Sequence, residues 1–345
     1  MTAITGQLIP ATEFNAAKDR VLAILGNGSG QRGYGQIVPV AENYAISTND
    51  ELISAAHWNA LTLDVNKCLN HQQPQNAQTT AATTGRVIGA NSDGVSSNNG
   101  INDMVNDINT AETLANAALV HSTAYTLTSG RSFLVSQRTS AWGGDGDPDD
   151  LIYCDLDVDF PGGYATTNSS GNRINSNPED HRRHFFNAGG QVRLSFTSTN
   201  LSTKDQNWAT MLAGAGSVVF DKFKTTVTGS GLARDGSTDV DGGGIDSALG
   251  NYQLTTSFQT IFRKFGSSVY AANYIQVQAK RVGVGLVRFR VSFYDAAEGN
   301  PNFDERVLLS AGSLMQAGID LRRATGSFVS VPTPNGSVST ELVNT

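Results

Sequence analysis

Charged residues are scarce in this chain: Asp, Glu, Lys and Arg make up 16% of its 345 residues, against about 25% in an average globular protein. The polar surface must come instead from Ser, Thr, Asn and Gln, a composition typical of strands and turns. The net charge is −7. Because an acidic surface repels phosphate backbones, we expect no nucleic-acid partner.

Cysteine is nearly absent, since the chain has only Cys68 and Cys154. They are far apart and neither has a partner at CxxC spacing, which excludes a zinc knuckle and a dithiol redox motif and implies no disulfide framework. We predict that both are small, buried, hydrophobic side chains.

Long apolar runs are missing too. No stretch approaches the roughly 18–20 apolar residues of a membrane span, and the opening residues MTAITGQLIP lack the basic and apolar regions of a secretory signal. We therefore expect synthesis in a cytoplasm and no membrane partner.

The apolar spacing predicts two helices in residues 1–75, which we interpret as an N-terminal helical docking module. The first helix is capped by Thr12 and ends at Gly26, and its apolar face is Phe14, Ala17, Val21 and Ile24. The second begins near Ser54, and its apolar face is Trp58, Leu61, Val65 and Leu69. Residues 76–123 are simpler and more polar. We interpret them as a linker with a possible helix at 102–118, whose inner face would be Val105, Ile108, Glu112 and Ala115.

A period of two replaces the helical spacing after residue 124. The clearest case is the apolar series Ile152, Cys154, Leu156, Val158 and Phe160. Further strands are predicted at 131–142, 191–197, 217–228, 254–265, 274–281 and 286–294, with one helix near 204–212. We predict an α+β fold that is mainly β: an antiparallel, β-sandwich-like domain at 124–330, followed by a C-terminal arm at 331–345.

Candidate catalytic and metal-binding residues are few. Gly28 to Gly33 match GxGxxG, but a helix precedes them and none follows, so we interpret them as a flexible connecting loop and expect no cofactor. Asp155, Asp157 and Asp159 share one strand face at about 6.5–7 Å spacing, which suits a glycosidase pair or calcium. We favour a solvated face.

Histidine gives one further metal hypothesis. His181 and His184 could bind a metal together with the acidic loop at 235–241, although the loop lacks the terminal Glu of a calcium-binding EF-hand. We favour a structural role and expect no metal.

Residues 184–190, HFFNAGG, resemble a motif of virion structural proteins of tailed phages, in particular T4-like phages of marine cyanobacteria. Trp208 with the strand after it, the glycines at 28–35 and the segment around Trp58 resemble parts of the same proteins. The resemblance covers about two-thirds of the chain. It implies a virion component without catalytic residues, whose partners are other virion proteins and copies of itself.

The motif itself we predict to be structural. On a strand, Phe185 and Phe186 would point to opposite faces. Asn187 would bond nearby backbone, and Gly189 and Gly190 would permit a positive φ before the next strand.

Three functions follow as hypotheses. The first is a tail, neck or fibre-associated virion subunit that is not an enzyme. The second is an adhesin that binds a host-surface glycan through Trp142, Tyr153 or Tyr164. The third is a polysaccharide depolymerase that uses the aspartates.

Overall fold

The chain divides into two compact units in a computed structural model that describes residues 9–38, 53–72, 79–82, 87–91, 99–116, 126–138, 151–199, 206–228, 249–266, 272–295, 314–325 and 328–344. Unit 1 comprises residues 1–128, 161–189 and 323–332. Unit 2 comprises residues 129–160, 190–322 and 333–345. Each unit is therefore built from separate stretches of sequence.

Unit 1 is mainly helical. Its helices are α1 (Ala11–Leu25), α2 (Ala55–Gln72), α3 (Ile101–Asn116) and α4 (Pro178–Asn187). It also contains a small hairpin of β3 (Ala165–Thr167) and β4 (Arg173–Asn175). Helices α1, α2 and α3 pack on one another.

The apolar faces predicted for α1 and α2 are confirmed, since all eight side chains are at most 2% exposed. The predicted start of α2 near Ser54 is also confirmed, and the Ser54 hydroxyl caps the helix by accepting a hydrogen bond from the His57 amide at 3.2 Å. The cap predicted for α1 is wrong. Pro10 takes the capping position with no side-chain hydrogen bond, and Thr12 lies inside the helix.

Helix α3 confirms the possible helix within the segment 76–123, which was interpreted as a polar linker. Its buried face is Ile101, Met104, Asp107, Ile108, Ala111 and Ala115, so Ile108 and Ala115 were correctly placed and Val105 and Glu112 were not. Glu112 instead forms an ion pair with Arg20 of α1 at 2.8 Å. The buried Asp107 carboxylate accepts hydrogen bonds from the amide and the hydroxyl of Thr79. Polar residues thus tie this region to the helical unit.

Unit 2 holds most of two five-stranded sheets. The first has the order β1 (Thr126–Arg138), β11 (Leu314–Thr325), β5 (Gln191–Thr199), β6 (Ser217–Phe220), β7 (Thr225–Val227). The second has the order β12 (Asn335–Asn344), β2 (Leu151–Asp159), β10 (Leu286–Tyr294), β9 (Tyr274–Arg281), β8 (Gln259–Phe265). Helix α5 (Gln206–Ala215) precedes β6. The predicted α+β class with antiparallel pairing is confirmed.

The period-two series of β2 forms a core, as its pattern indicates. All five apolar side chains, Ile152, Cys154, Leu156, Val158 and Phe160, are fully buried. Cys68 in unit 1 and Cys154 in unit 2 are buried free thiols, which confirms their prediction as small buried hydrophobes. Burial raises the pKa of both thiols.

Two strand predictions need correction. Residues 335–344, predicted as part of an arm, form β12 and pair with β2 through two register shifts. The segment 217–228 is divided into β6 and β7, because the Asp221 side chain accepts the amides of Phe223 and Lys224 and turns the chain.

No helix within the described residues is long and apolar enough to cross a membrane.

Candidate functional site

The HFFNAGG motif lies at the end of helix α4, which corrects the prediction of a strand there. Asn177 and Asp180 form a reciprocal capping box, and Pro178 occupies the first turn. This Asn-Pro-Glu-Asp sequence is a helix start signal that outweighs the two aromatic residues. Phe185 and Phe186 are both fully buried, and their rings pack edge to face at 5.2 Å.

Helix α4 is followed by the turn that the glycines predict. Gly189 has φ +96°, which an L side chain rarely adopts,. Gly190 then leads directly into β5. The predicted positive φ is therefore confirmed at Gly189.

The glycine-rich segment at 26–38 lies against α4. Its backbone folds back on the end of α1 through hydrogen bonds from Tyr34 N to Ile24 O and from Gly35 N to Gly26 O. Gly35 has φ +68°, and a Cβ there would lie 2.2 Å from Nδ1 of His184. Only glycine permits this approach. Helix α4 bonds this segment at several points, so it is more than a flexible connection.

Three buried histidines in unit 1 each donate a ring N–H to a backbone carbonyl. His184 Nε2 donates to Asn27 O at 3.0 Å, His181 Nε2 to Pro332 O at 2.9 Å and His71 Nε2 to Ala188 O at 3.0 Å. His184 Nδ1 accepts the Tyr164 hydroxyl at 2.7 Å. His181 Nδ1 accepts the Gly162 amide at 3.2 Å.

The hydrogen bonds accepted by Nδ1 require a neutral imidazole in His181 and in His184, because a ring nitrogen that accepts a hydrogen bond cannot carry a proton,. Burial also favours the neutral ring, because it lowers the pKa of His71 and of His184 to about 4. Burial also raises the pKa of the Tyr164 hydroxyl, which therefore stays protonated and donates to His184.

Two further side chains of α4 hold the glycine-rich segment. Arg183 donates to Arg32 O at 3.1 Å and pairs with Asp180 at 2.7 Å. Asn187 bonds backbone, although not the nearby backbone that was predicted: its Nδ2 donates to Gly33 O, 154 positions away, at 2.9 Å. We call His71, His181, Arg183, His184 and Asn187 the α4 clasp. Its members hold distant backbone segments together.

The ring nitrogens of His181 and His184, which the metal hypothesis would use as ligands, bond backbone groups and the Tyr164 hydroxyl instead. Within the described part of the chain, no group of three or more His, Cys, Asp or Glu side chains is arranged to hold a metal ion. The acidic loop at 235–241, which the alternative metal hypothesis joined to the two histidines, lies outside the described residues.

The aspartates of β2 are not a solvated face, except for Asp159, which is exposed. Asp155 is 2% exposed and accepts two hydrogen bonds from Arg290, at 2.8 and 2.9 Å. Asp157 accepts two from Arg288, at 2.7 and 2.8 Å. Asp155 and Arg290, and Asp157 and Arg288, are direct antiparallel partners on β2 and β10. The sequence did not show this, because the spacing within one strand says nothing about the strand beside it.

Aromatic rings and cations alternate on the same side of the second sheet. The Arg290 guanidinium lies 4.1 Å from the Tyr153 ring and 4.4 Å from the Phe258 ring, and Lys280 lies 4.2 Å from Phe258. Nearby, Tyr274 packs on Tyr294 at 4.8 Å. We call these residues the aromatic–cation face.

Trp58, Trp208 and Tyr164 each contact other residues of their own unit. Trp58 is fully buried, with Nε1 donating to Thr80 O, and Trp208 packs on Phe293 at 6.2 Å. Trp142, a proposed glycan platform, lies outside the described residues. Tyr164, another, has its ring against His181 and His184.

Comparison with protein-family models, with curated proteins and with solved structures found no match for this chain.

Proposed function

We propose that the chain is a non-enzymatic structural subunit of a tailed-bacteriophage virion, associated with the tail, neck or fibres. It would act by assembling with other virion proteins and with copies of itself. The α4 clasp carries this proposal. His184 and Asn187 of the phage-like motif bond backbone of the glycine-rich segment. His181 and Arg183, just before the motif on α4, bond the carbonyls of Pro332 and Arg32. A motif used in this way favours a scaffold over a catalyst.

Contacts within unit 1 link the segments that resemble phage proteins. The glycines at 28–35, the helix around Trp58 and the 184–190 motif resemble the same phage proteins, and all three belong to one unit. His71 of α2 bonds Ala188 at the end of α4, and His184 bonds Asn27. Segments that depend on one another for folding are expected to occur together in a family.

For unit 2 we infer a β-sandwich. Rings from the two sheets meet edge to face: Phe220 of β6 lies 5.2 Å from Phe289 of β10, and Phe196 of β5 lies 6.3 Å from Phe293 of β10. Such interdigitated inner faces are typical of a sandwich core. The partly exposed aromatic–cation face would then be outward and available for assembly.

Mass spectrometry of purified particles tests the virion proposal. We expect the chain in density-purified virions after a high-salt wash, at a constant ratio to the major capsid protein. Chain present only in the particle-free lysate would contradict the proposal. A known non-virion protein of the same lysate is the control for carry-over.

Glycan binding is the second candidate function, and the aromatic–cation face favours it. Tyr153, Tyr274 and Tyr294 are half-exposed there, and rings beside arginines suit acidic sugars. One side of the Tyr153 ring is taken by Arg290. Purified chain should then bind host polysaccharide, and Tyr294→Ala should weaken this binding. Absence of binding would eliminate this candidate. The pairing of Asp155 and Asp157 with arginines disfavours the depolymerase hypothesis.

A further inference from the structure

A cavity in unit 1 lies beside the α4 clasp. Its volume is about 480 Å³, and it is lined by residues 35–37 and 164–165 together with Arg323, Ser330 and Pro332. Cavities of this size are in the range that holds small organic ligands. The side chains of Ile37, Tyr164 and Pro332 make much of the wall apolar or aromatic.

Arg323 is the charged residue of this wall, and it is half-buried. Within the described residues it has neither an acidic partner within 4.0 Å nor a side-chain hydrogen bond. A guanidinium has five donor hydrogens in a planar fork. Leaving them unpaired in a partly desolvated site is unfavourable, so the site favours an anion.

The other polar groups of the wall are mostly occupied. Gln36 Nε2 donates to Tyr34 O at 2.8 Å and to Ser330 O at 3.0 Å, while its Oε1 accepts the Ser330 amide at 3.2 Å. The Tyr164 hydroxyl donates to His184. The Arg323 guanidinium and the Ser330 hydroxyl therefore remain as donors for a ligand.

We propose that this cavity binds a small organic carboxylate through Arg323. The two oxygens of a carboxylate match the guanidinium fork, and one positive charge balances one negative charge. A phosphate carries more charge and three acceptor oxygens, which two donor groups satisfy poorly. The body of the ligand packs against Ile37, Pro332 and the Tyr164 ring. This inference goes beyond the virion proposal and does not rest on it.

Calorimetric titration of the full chain with benzoate tests the proposal, with benzamide as the uncharged match of the same size. We expect benzoate to bind at least tenfold more tightly than benzamide. Arg323→Gln should weaken benzoate binding roughly tenfold or more, the usual scale for a lost charge-assisted hydrogen bond. The control variant Arg281→Gln, in unit 2, changes the net charge by the same amount and should leave the benzoate affinity unchanged.

Two further measurements sharpen the test. Arg323→Lys keeps the charge without the fork, so its benzoate affinity should lie between those of the wild type and Arg323→Gln. D-glucuronate, compared with glucose, shows whether a sugar acid is accepted, and tighter binding than benzoate would assign the carboxylate to a glycan source. Equal binding of benzoate and benzamide, unchanged affinity in Arg323→Gln, or a preference for inorganic phosphate would overturn the proposal.

Discussion

His184 joins two segments of unit 1 through one ring. Its Nε2–H donates to Asn27 O, and its Nδ1 accepts the Tyr164 hydroxyl. Protonation would add a second ring N–H where an acceptor is needed and would place a charge in a fully buried position,. The folded chain therefore selects the neutral ring. His71 is equally buried, and its burial likewise makes the protonated ring unfavourable.

This constraint predicts loss of stability in acid. The pKa of His71 and of His184 is about 4 in the folded chain and about 6.5 when unfolded. The unfolded chain therefore binds protons first as the pH falls. The free energy of unfolding should be highest above pH 6.5 and should decrease by about 3 kcal/mol for each histidine by pH 4. Urea unfolding at pH 7, 5.5 and 4.5 measures it.

Carboxylates titrate in the same range, so the histidine contribution needs variants. His184→Gln and His71→Gln should each lower the stability at pH 7 and flatten the pH dependence. A slope as steep in both variants as in the wild type would show that other groups cause the acid sensitivity.

Asp155 and Asp159 provide a matched comparison on one strand. Asp155→Asn leaves Arg290 without its counter-charge, although Arg290 is 29% exposed and can recover some hydration. We expect a loss of about 2–3 kcal/mol. Asp159 is exposed, and Asp159→Asn should change the stability by less than about 0.5 kcal/mol. Chemical denaturation measures both, and equal effects would refute a structural role for the ion pair.

For single residues, the sequence predicts which side chains are buried better than it predicts which residues they bond. The burial of Phe14, Trp58 and Cys154 follows from apolar periodicity, which is a local property. The carbonyl that His184 meets and the arginine that Asp155 meets lie more than 130 positions away. No pattern within a short window identifies such partners.

Helix α2 presents one face to the interior and another to solvent. Trp58 is fully buried and Leu63 is 57% exposed. Trp58→Ala should therefore lower the free energy of unfolding by about 3–5 kcal/mol, whereas Leu63→Ala should cost less than about 1 kcal/mol. Urea denaturation followed by circular dichroism compares the two variants. A small effect of Trp58→Ala would mean that this face does not support the unit.

Elements were predictable where one signal dominated. The bounds of β9 and β10 agree with prediction because strict alternation and flanking glycines mark both strands. Helix α4 was not predicted, although Asn177, Pro178 and Asp180 form a helix start signal in the sequence. The inner face of α3 was misplaced because Asp107, a carboxylate, is buried against Thr79. Polar pairs of this kind interrupt the apolar periodicity that defines a face.

At the scale of the whole molecule, the second sheet depends on a strand at the far end of the sequence, because β12 pairs with β2. A chain that ends at Pro332 lacks β12, so the buried strand β2 becomes a sheet edge. Such an edge invites aggregation. We expect faster hydrogen exchange at the amides of β2 that face β12 and more aggregation, with little change in helices α1–α3 of unit 1. Exchange mass spectrometry of the truncated and full chains tests this.

Unchanged protection of β2 in the shortened chain would contradict the prediction. It would mean that residues 335–344 behave as part of an arm, as predicted from the sequence. Val338→Ala within the full chain is a milder control, because it keeps the β12 backbone.

The interleaving of the two units has a consequence for biosynthesis. Helices α1–α3 leave the ribosome early, but the carbonyl of Pro332 that His181 holds is made more than 140 residues after α4 ends. At roughly 5–20 residues per second, the nascent chain waits about 7–29 s with unit 1 incomplete. Translation speed and chaperone occupancy over that interval would then govern how much of the protein matures.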